Sequence, residues 1–209
     1  MNLEELNPKN RFSKRADNYT KYRPTYPKEI IEYLNDSEKY LINYTNFHSV
    51  EAASEATTLE AKSIDIITAG QAFHWFEPEA TKKEFLRILK PNGFVVIFSN
   101  RRKNNSQFMN EYMELVKKYS ESEFNKPLNT DSHEFFVLKT IHEERFQNPI
   151  EYNLERLKGE LASYSYLPNE DDDDFVLMIS ELELIFEKYN NNGTVIFNYE
   201  TVVYYCKMK

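Results

Sequence analysis

Between residues 63 and 99 the chain reads as strand, helix, strand, and this run restricts the fold more than any other. Ser63-Ile64-Asp65-Ile66-Ile67-Thr68-Ala69-Gly70 is an apolar, β-branched run ending in glycine, as a buried parallel strand does. Pro78-Glu79-Ala80 then opens a helix whose Phe85, Leu86 and Leu89 form an apolar stripe, and Lys90-Pro91-Asn92-Gly93 stops it. Phe94-Val95-Val96-Ile97-Phe98-Ser99 follows at once as a second strand. The series is a βαβ unit with an expected right-handed crossover, so the fold class is α/β around an open sheet. In such sheets the ligand crevice lies just past the carboxyl ends of the strands. That rule puts Gln71-Ala72-Phe73-His74-Trp75-Phe76 where chemistry would occur.

The flanks are less regular. Residues 11–19 carry Phe12, Ala16 and Tyr19 on one face at helical spacing. Tyr22-Arg23-Pro24-Thr25-Tyr26-Pro27 breaks that pattern, because each proline biases its predecessor away from the helical region, and Pro27 suits the first turn of a helix through about Leu34. This elbow reads either as a flap packed on the core or as a lid over a ligand, with Tyr19, Tyr22 and Tyr26 facing the pocket. Phe47-His48-Ser49-Val50-Glu51-Ala52 reads as a short strand, followed by the turn-like Ser54-Glu55-Ala56-Thr57. Downstream we expect a helix near 106–119, a strand near 141–147 and an acidic helix over about 172–189. Residues 194–205 are rich in β-branched and aromatic side chains and read as one long strand, or two short ones, closing the sheet. The run Glu170-Asp171-Asp172-Asp173-Asp174 reads as a helix cap opposing the dipole rather than as a metal site. One domain is expected over 1–209, with an N-terminal helical flap (1–34), a core βαβ segment (47–100) and a C-terminal half carrying substrate-side helices and closing strands (101–209).

Composition narrows the partners. The 209 residues, 41% hydrophobic and 15% aromatic, are enough for a sizeable core. A formal net charge of -8 disfavours phosphate backbones and anionic bilayers, which reward a basic face, so a small-molecule partner is expected, with no nucleic acid and no membrane. No apolar stretch approaches the roughly 20 residues that span a bilayer. The single cysteine, Cys206, forms no internal disulfide, and the start Met1-Asn2-Leu3-Glu4-Glu5 has neither a basic nor an apolar leader region, so a cytoplasmic location is expected. The histidines at 48, 74, 133 and 142 have no ligand spacing, and no metal is expected.

Several ordered segments carry a resemblance. They are Arg15-Ala16-Asp17-Asn18-Tyr19 with the proline elbow, Ser54-Glu55-Ala56-Thr57, Ser63-Ile64-Asp65-Ile66-Ile67, Gln71-Ala72-Phe73-His74-Trp75-Phe76, Leu89-Lys90-Pro91-Asn92-Gly93 and Ser163-Tyr164-Ser165-Tyr166-Leu167-Pro168. Over residues 11–27, 54–101 and 163–209 the chain resembles small class I S-adenosylmethionine-dependent methyltransferases, particularly those similar to trans-aconitate methyltransferases and the type 11 methyltransferase domain. The resemblance implies a Rossmann-like sheet with flanking helices. It places Ser54, Glu55 and Ala56 beside the adenine, Gln71, Ala72, Phe73 and Trp75 beside the methionine portion, and the tyrosines Tyr19 and Tyr22 over the cofactor. Methyl transfer is displacement at a sulfonium carbon, so the protein supplies alignment and a dry pocket, with a base only if the nucleophile carries a proton. His74 is the candidate base, against a reading in which it packs locally. Arg101, Tyr164, Ser165 and Tyr204 are weaker candidates for substrate contacts, Arg101 through a carboxylate.

The chain departs from that family before Phe47. A first strand, a glycine-rich turn, a helix and a second strand should precede it, yet residues 35–46 number only twelve where a βαβ unit takes about 30. The four glycines, Gly70, Gly93, Gly159 and Gly193, form no GxGxxG pattern. A sheet truncated by loss of its first βαβ unit follows, with C-terminal antiparallel strands and apolar edges that recruit a second copy into a homodimer. Three readings result: a methyltransferase with a compressed cofactor site, a non-catalytic descendant acting as a binding or regulatory protein, and a remnant whose deletion belongs to this gene copy.

Overall fold

A computed structural model describes Asn18 and residues 21–27, 50–120, 135–136 and 140–208. The expected helix at 11–19, apart from Asn18, the helix over 28–34 and residues 47–49 of the expected first strand lie outside the described residues, as do Tyr19 and His133. Residues 50–52 belong to no strand, which corrects the C-terminal half of that expected element. Among the described residues nearby, the β contact is an isolated bridge between Ala53 and Ala56, which closes a turn.

The strand, helix, strand reading is present as β1 (Ile64–Gly70), α1 (Pro78–Ile88) and β2 (Leu89–Arg102). Glu77 caps α1 by accepting from Ala80 N, and Pro78 sits where its missing N–H costs nothing. β1 and β2 are parallel, and their register jumps from Ile64↔Leu89 to Ile66↔Phe94. The segment Lys90-Pro91-Asn92-Gly93 therefore ends the helix as expected but continues within β2 as a bulge. Then come α2 (Gln107–Tyr119), β3 (His142–Tyr152), α3 (Leu154–Ala162), α4 (Asp173–Tyr189) and β4 (Val195–Lys207), the last as one strand. The sheet order is β1-β2-β4-β3. Partners along β4 run backwards against both neighbours: Lys207 meets Asn92 and Thr201 meets Asn100 of β2, while Tyr205 stacks on His142 and Phe197 on Tyr152 of β3. β4 is thus antiparallel to both, and the sheet is mixed.

The described residues fall into two compact units, one drawn from 1–25, 102–127 and 149–199 (unit 1) and the other from 26–101, 128–148 and 200–209 (unit 2). Unit 1 packs α2 and α3 on α4. Its core joins Tyr112, Tyr152, Leu157, Leu161, Met178, Leu182 and Phe197, all fully buried. Unit 2 packs Phe85 and Leu89 of the crossover against Val95, Ile97, Phe135, Phe136, Val202 and Cys206. Among the described residues no helix is long and apolar enough to cross a membrane.

Candidate functional site

In unit 2 the chain leaves β1 through a strained turn. Gln71 has φ of 51°, a left-handed conformation uncommon for a residue with a side chain. It is held there by its N–H donating to Phe98 O (3.1 Å) and its side-chain amide donating to Asn100 O (3.2 Å). Gly70 precedes it because a Cβ there would stand 2.7 Å from the Phe98 ring, whose face Tyr26 also meets edge-on at 4.6 Å. A single 3-10 turn, Phe73–Trp75, follows. Its first residue points inward: Phe73 is buried against Phe76 and Phe135. Its last points outward: Trp75 is 38% exposed, with the His74 ring 5.0 Å away and tilted by 45°. Of the predicted residues, Gln71 and Phe73 thus fix the turn's shape, while Trp75 is partly exposed beside His74.

The loop carrying Ser54, Glu55 and Ala56 is fastened to α1. Ser54 and Thr81 share a hydroxyl hydrogen bond (3.0 Å), and Glu55 accepts from Ser54 (2.9 Å). One turn further along α1, Glu84 accepts from Thr57 N (2.9 Å), Thr57 Oγ1 (2.6 Å) and the Arg87 guanidinium (both 2.7 Å). Arg87 also donates to Leu59 O (2.7 Å). Chiefly the Arg87 hydrogen bonds, then those from Thr57, lower the Glu84 carboxyl to about 2. Thr81, Glu84 and Arg87 escaped the sequence reading, although a polar stripe at i, i+3, i+6 on a helix with a buried face was its signal.

At the end of β2, Asn100 gathers three strands: its Oδ1 accepts from Thr201 (2.5 Å) and Asn148 (3.4 Å), and its carbonyl holds Gln71. Arg101 is exposed and rests its guanidinium on Tyr204, 5.8 Å from the ring centre and 3.4 Å from its hydroxyl. Tyr204 itself is buried in unit 2. The remaining predicted residues belong to unit 1. Tyr22 lays its ring on Gly159 of α3, where a Cβ would meet it at 2.2 Å, and its hydroxyl donates to Glu155 (3.2 Å). Tyr164 is buried and Ser165 half-buried. Among the described residues no three His, Cys, Asp or Glu side chains converge to hold a metal.

Known proteins resemble this chain in sequence and in fold. Residues 24–97 match the family described as a methyltransferase domain, of type 11. An uncharacterized methyltransferase of Schizosaccharomyces pombe is 29% identical over 189 residues, covering 85% of this chain and 74% of the relative. A methyltransferase-like protein of the same yeast is 31% identical over 98 residues, 46% of this chain and 38% of that protein. A solved structure from Anaeromyxobacter dehalogenans, described as a type II methyltransferase, superposes with a TM-score of 0.54 at 15% identity, covering 75% of this chain and 70% of that one. The site turn stands at the carboxyl end of a parallel strand, and the chain is similar over residues 24–97 to the type 11 methyltransferase domain, with a fold like that of a solved methyltransferase structure.

Proposed function

We propose that the chain is a cytoplasmic S-adenosylmethionine-dependent methyltransferase that transfers a methyl group to an oxygen or nitrogen of a small molecule. The observation that carries this reading is the turn after β1, where backbone strain at Gln71 is spent on presenting Trp75 beside His74. An aromatic face at a rigid strand end suits a sulfonium cation by the electrostatics that favour ammonium groups over rings. The residues therefore fit the methyl-donating end of the cofactor. The adenosine end has Ser54, Glu55 and Ala56 on a fastened loop but no glycine-rich turn, since the four glycines form no such pattern. When bound, the cofactor supplies the methyl group; this chain's part is to align, to exclude water and, through His74, to take a proton from the acceptor.

A second reading, a non-catalytic binding or regulatory protein, is favoured by β1 lying at the sheet edge, with β2 its one strand neighbour among the described residues. That edge also supports a homodimer. The opposite edge strand, β3, carries Glu143, Glu144, Arg145 and Pro149, which block edge pairing, whereas β1 carries Ile64, Ile66 and Ile67 with Asp65 as its sole charge, neutralised by Lys90 at 2.7 Å. An antiparallel pairing of two copies centred on Ile67 sets Asp65 against Ala69 and brings no like charges together.

Calorimetric titration with S-adenosylmethionine and with S-adenosylhomocysteine tests the choice. Binding tighter than about 100 μM, or about 5.5 kcal/mol, is expected of a working site. No binding at millimolar ligand would leave methyl transfer as ancestry alone and favour the second reading.

A further inference from the structure

α4 carries apolar side chains on two opposite sides. Phe175, Met178, Leu182 and Phe186 face unit 1's core. On the other side Asp173, Leu177, Ser180, Leu184 and Glu187 follow one another at spacings of four, three, four and three residues, the repeat of a seam between helices. Leu184, Val176 and Leu177 are 67%, 62% and 56% exposed, the most exposed large apolar side chains among the described residues. A helix on a domain surface needs one apolar stripe for its own core, so a second stripe marks a contact surface. Ser180 keeps the middle of this stripe narrow, because its hydroxyl donates back to Val176 O (2.9 Å) and asks for no outside acceptor.

Charge decides what fits there. Asp173 and Glu187 close the seam at its two ends, and Asp171, Asp172 and Asp174 deepen the negative charge at the first. Among the described residues on and beside α4, Lys118 is held by Glu181 (2.6 Å), Lys188 by Glu111 (2.6 Å) and Lys158 by Glu183. A second copy of this chain is a poor match. Antiparallel pairing about Ser180 sets Asp173 of each copy against Glu187 of the other, and parallel pairing sets each acid against itself. An anionic bilayer meets the same repulsion. We infer that the outer seam of α4 docks an amphipathic helix of another protein, one that presents apolar side chains a heptad apart with lysine or arginine at both ends. Leu177 and Leu184 take the apolar contacts, Ser180 lets the two helices approach, and Asp173 and Glu187 read the cations and set the register. This surface is independent of methyl transfer.

The test is fluorescence anisotropy of a labelled synthetic helix of about three heptads, with leucine along its seam and lysine at both ends, against the same peptide with glutamate at those ends. The full chain is used without S-adenosylmethionine. The lysine peptide is expected to bind saturably and about tenfold or more tighter than the glutamate peptide, with the preference reversed by Asp173→Lys combined with Glu187→Lys. Should that pair not fold, Glu187→Lys alone is expected to erase the preference. Leu177→Gln combined with Leu184→Gln, which keeps helix propensity and touches only exposed positions, is expected to weaken the lysine peptide about tenfold while melting within about 2 °C of the parent. No binding of the lysine peptide, a preference that the charge changes leave intact, or equal binding by the glutamine variant would each overturn the assignment. A parent dimer lost in the glutamine variant would make the occupant a second copy, and adhesion to phosphatidylserine vesicles lost in that variant would make it a membrane; either result also overturns it.

Discussion

Neighbouring residues can have opposite fates, and Arg101 and Arg102 are the sharpest case. On a strand, successive side chains point to opposite faces. Arg101, the substrate candidate read from sequence, lies exposed against Tyr204, while Arg102 carries a buried donor beside Tyr164. Nothing in the local string Ser99-Asn100-Arg101-Arg102 says which face is buried; that is set by what packs on β2. Glu84 shows the same dependence with a measurable sign. Its carboxyl lies at about 2, below the ordinary 4.5, so its contribution is complete above 4.5 and is lost as pH falls from there toward 2. We expect Glu84→Gln to cost about 2 kcal/mol at pH 7, and the gap to the parent to narrow in urea melts near pH 3. Gln71→Gly tests the strained turn from the other direction. Relief of the left-handed φ should stabilise the chain by about 1 kcal/mol, or about 2–4 °C, and under the proposed function weaken S-adenosylmethionine affinity; a lower melting midpoint would mean that the lost Gln71 side-chain hydrogen bond to Asn100 O outweighs the strain.

At the scale of elements, agreement followed local signals. α2 begins where Ser106 accepts from Met109 N, and α4 begins after the acidic run whose Asp173 and Asp174 oppose its dipole. α3 went unread because Gly159 in its middle argues against a helix, although Asn153 caps it by accepting from Arg156 N and Leu154, Leu157 and Leu161 repeat at helical spacing. Its glycine is required by Tyr22, a residue more than 130 positions away, which no window along the chain can reveal. β4 was legible from its β-branched and aromatic run, and its first residues carry part of unit 1's core. Phe197 is fully buried with the rings of Tyr112 and Tyr152 each 4.8 Å away. Phe197→Ala is expected to cost about 3–5 kcal/mol, read as a lower urea midpoint with unchanged slope.

The whole molecule raises the question of what completes the sheet. β1 is an apolar parallel strand placed at an edge, with Ile66 46% exposed, although parallel strands are ordinarily covered on both sides. Replacing Ile66 by Lys should convert a concentration-dependent dimer to a monomer in sedimentation velocity without lowering the melting midpoint; a parent that is monomeric at all concentrations would refute pairing through this edge. The sequence by itself determined the α/β class, the βαβ segment and the position of the turn at residues 71–76, because apolar periodicity, proline and glycine act over a few residues and report directly on strand, helix and stop. Only the tertiary structure decided that β4 lies between β2 and β3, that Thr81, Glu84 and Arg87 clamp the loop at 54–59, and that Arg23, Arg102 and Tyr166 surround Tyr164. Those are contacts between residues far apart in the chain, chosen by burial and by the need of each buried polar atom for a partner, and neither quantity exists until the chain has packed.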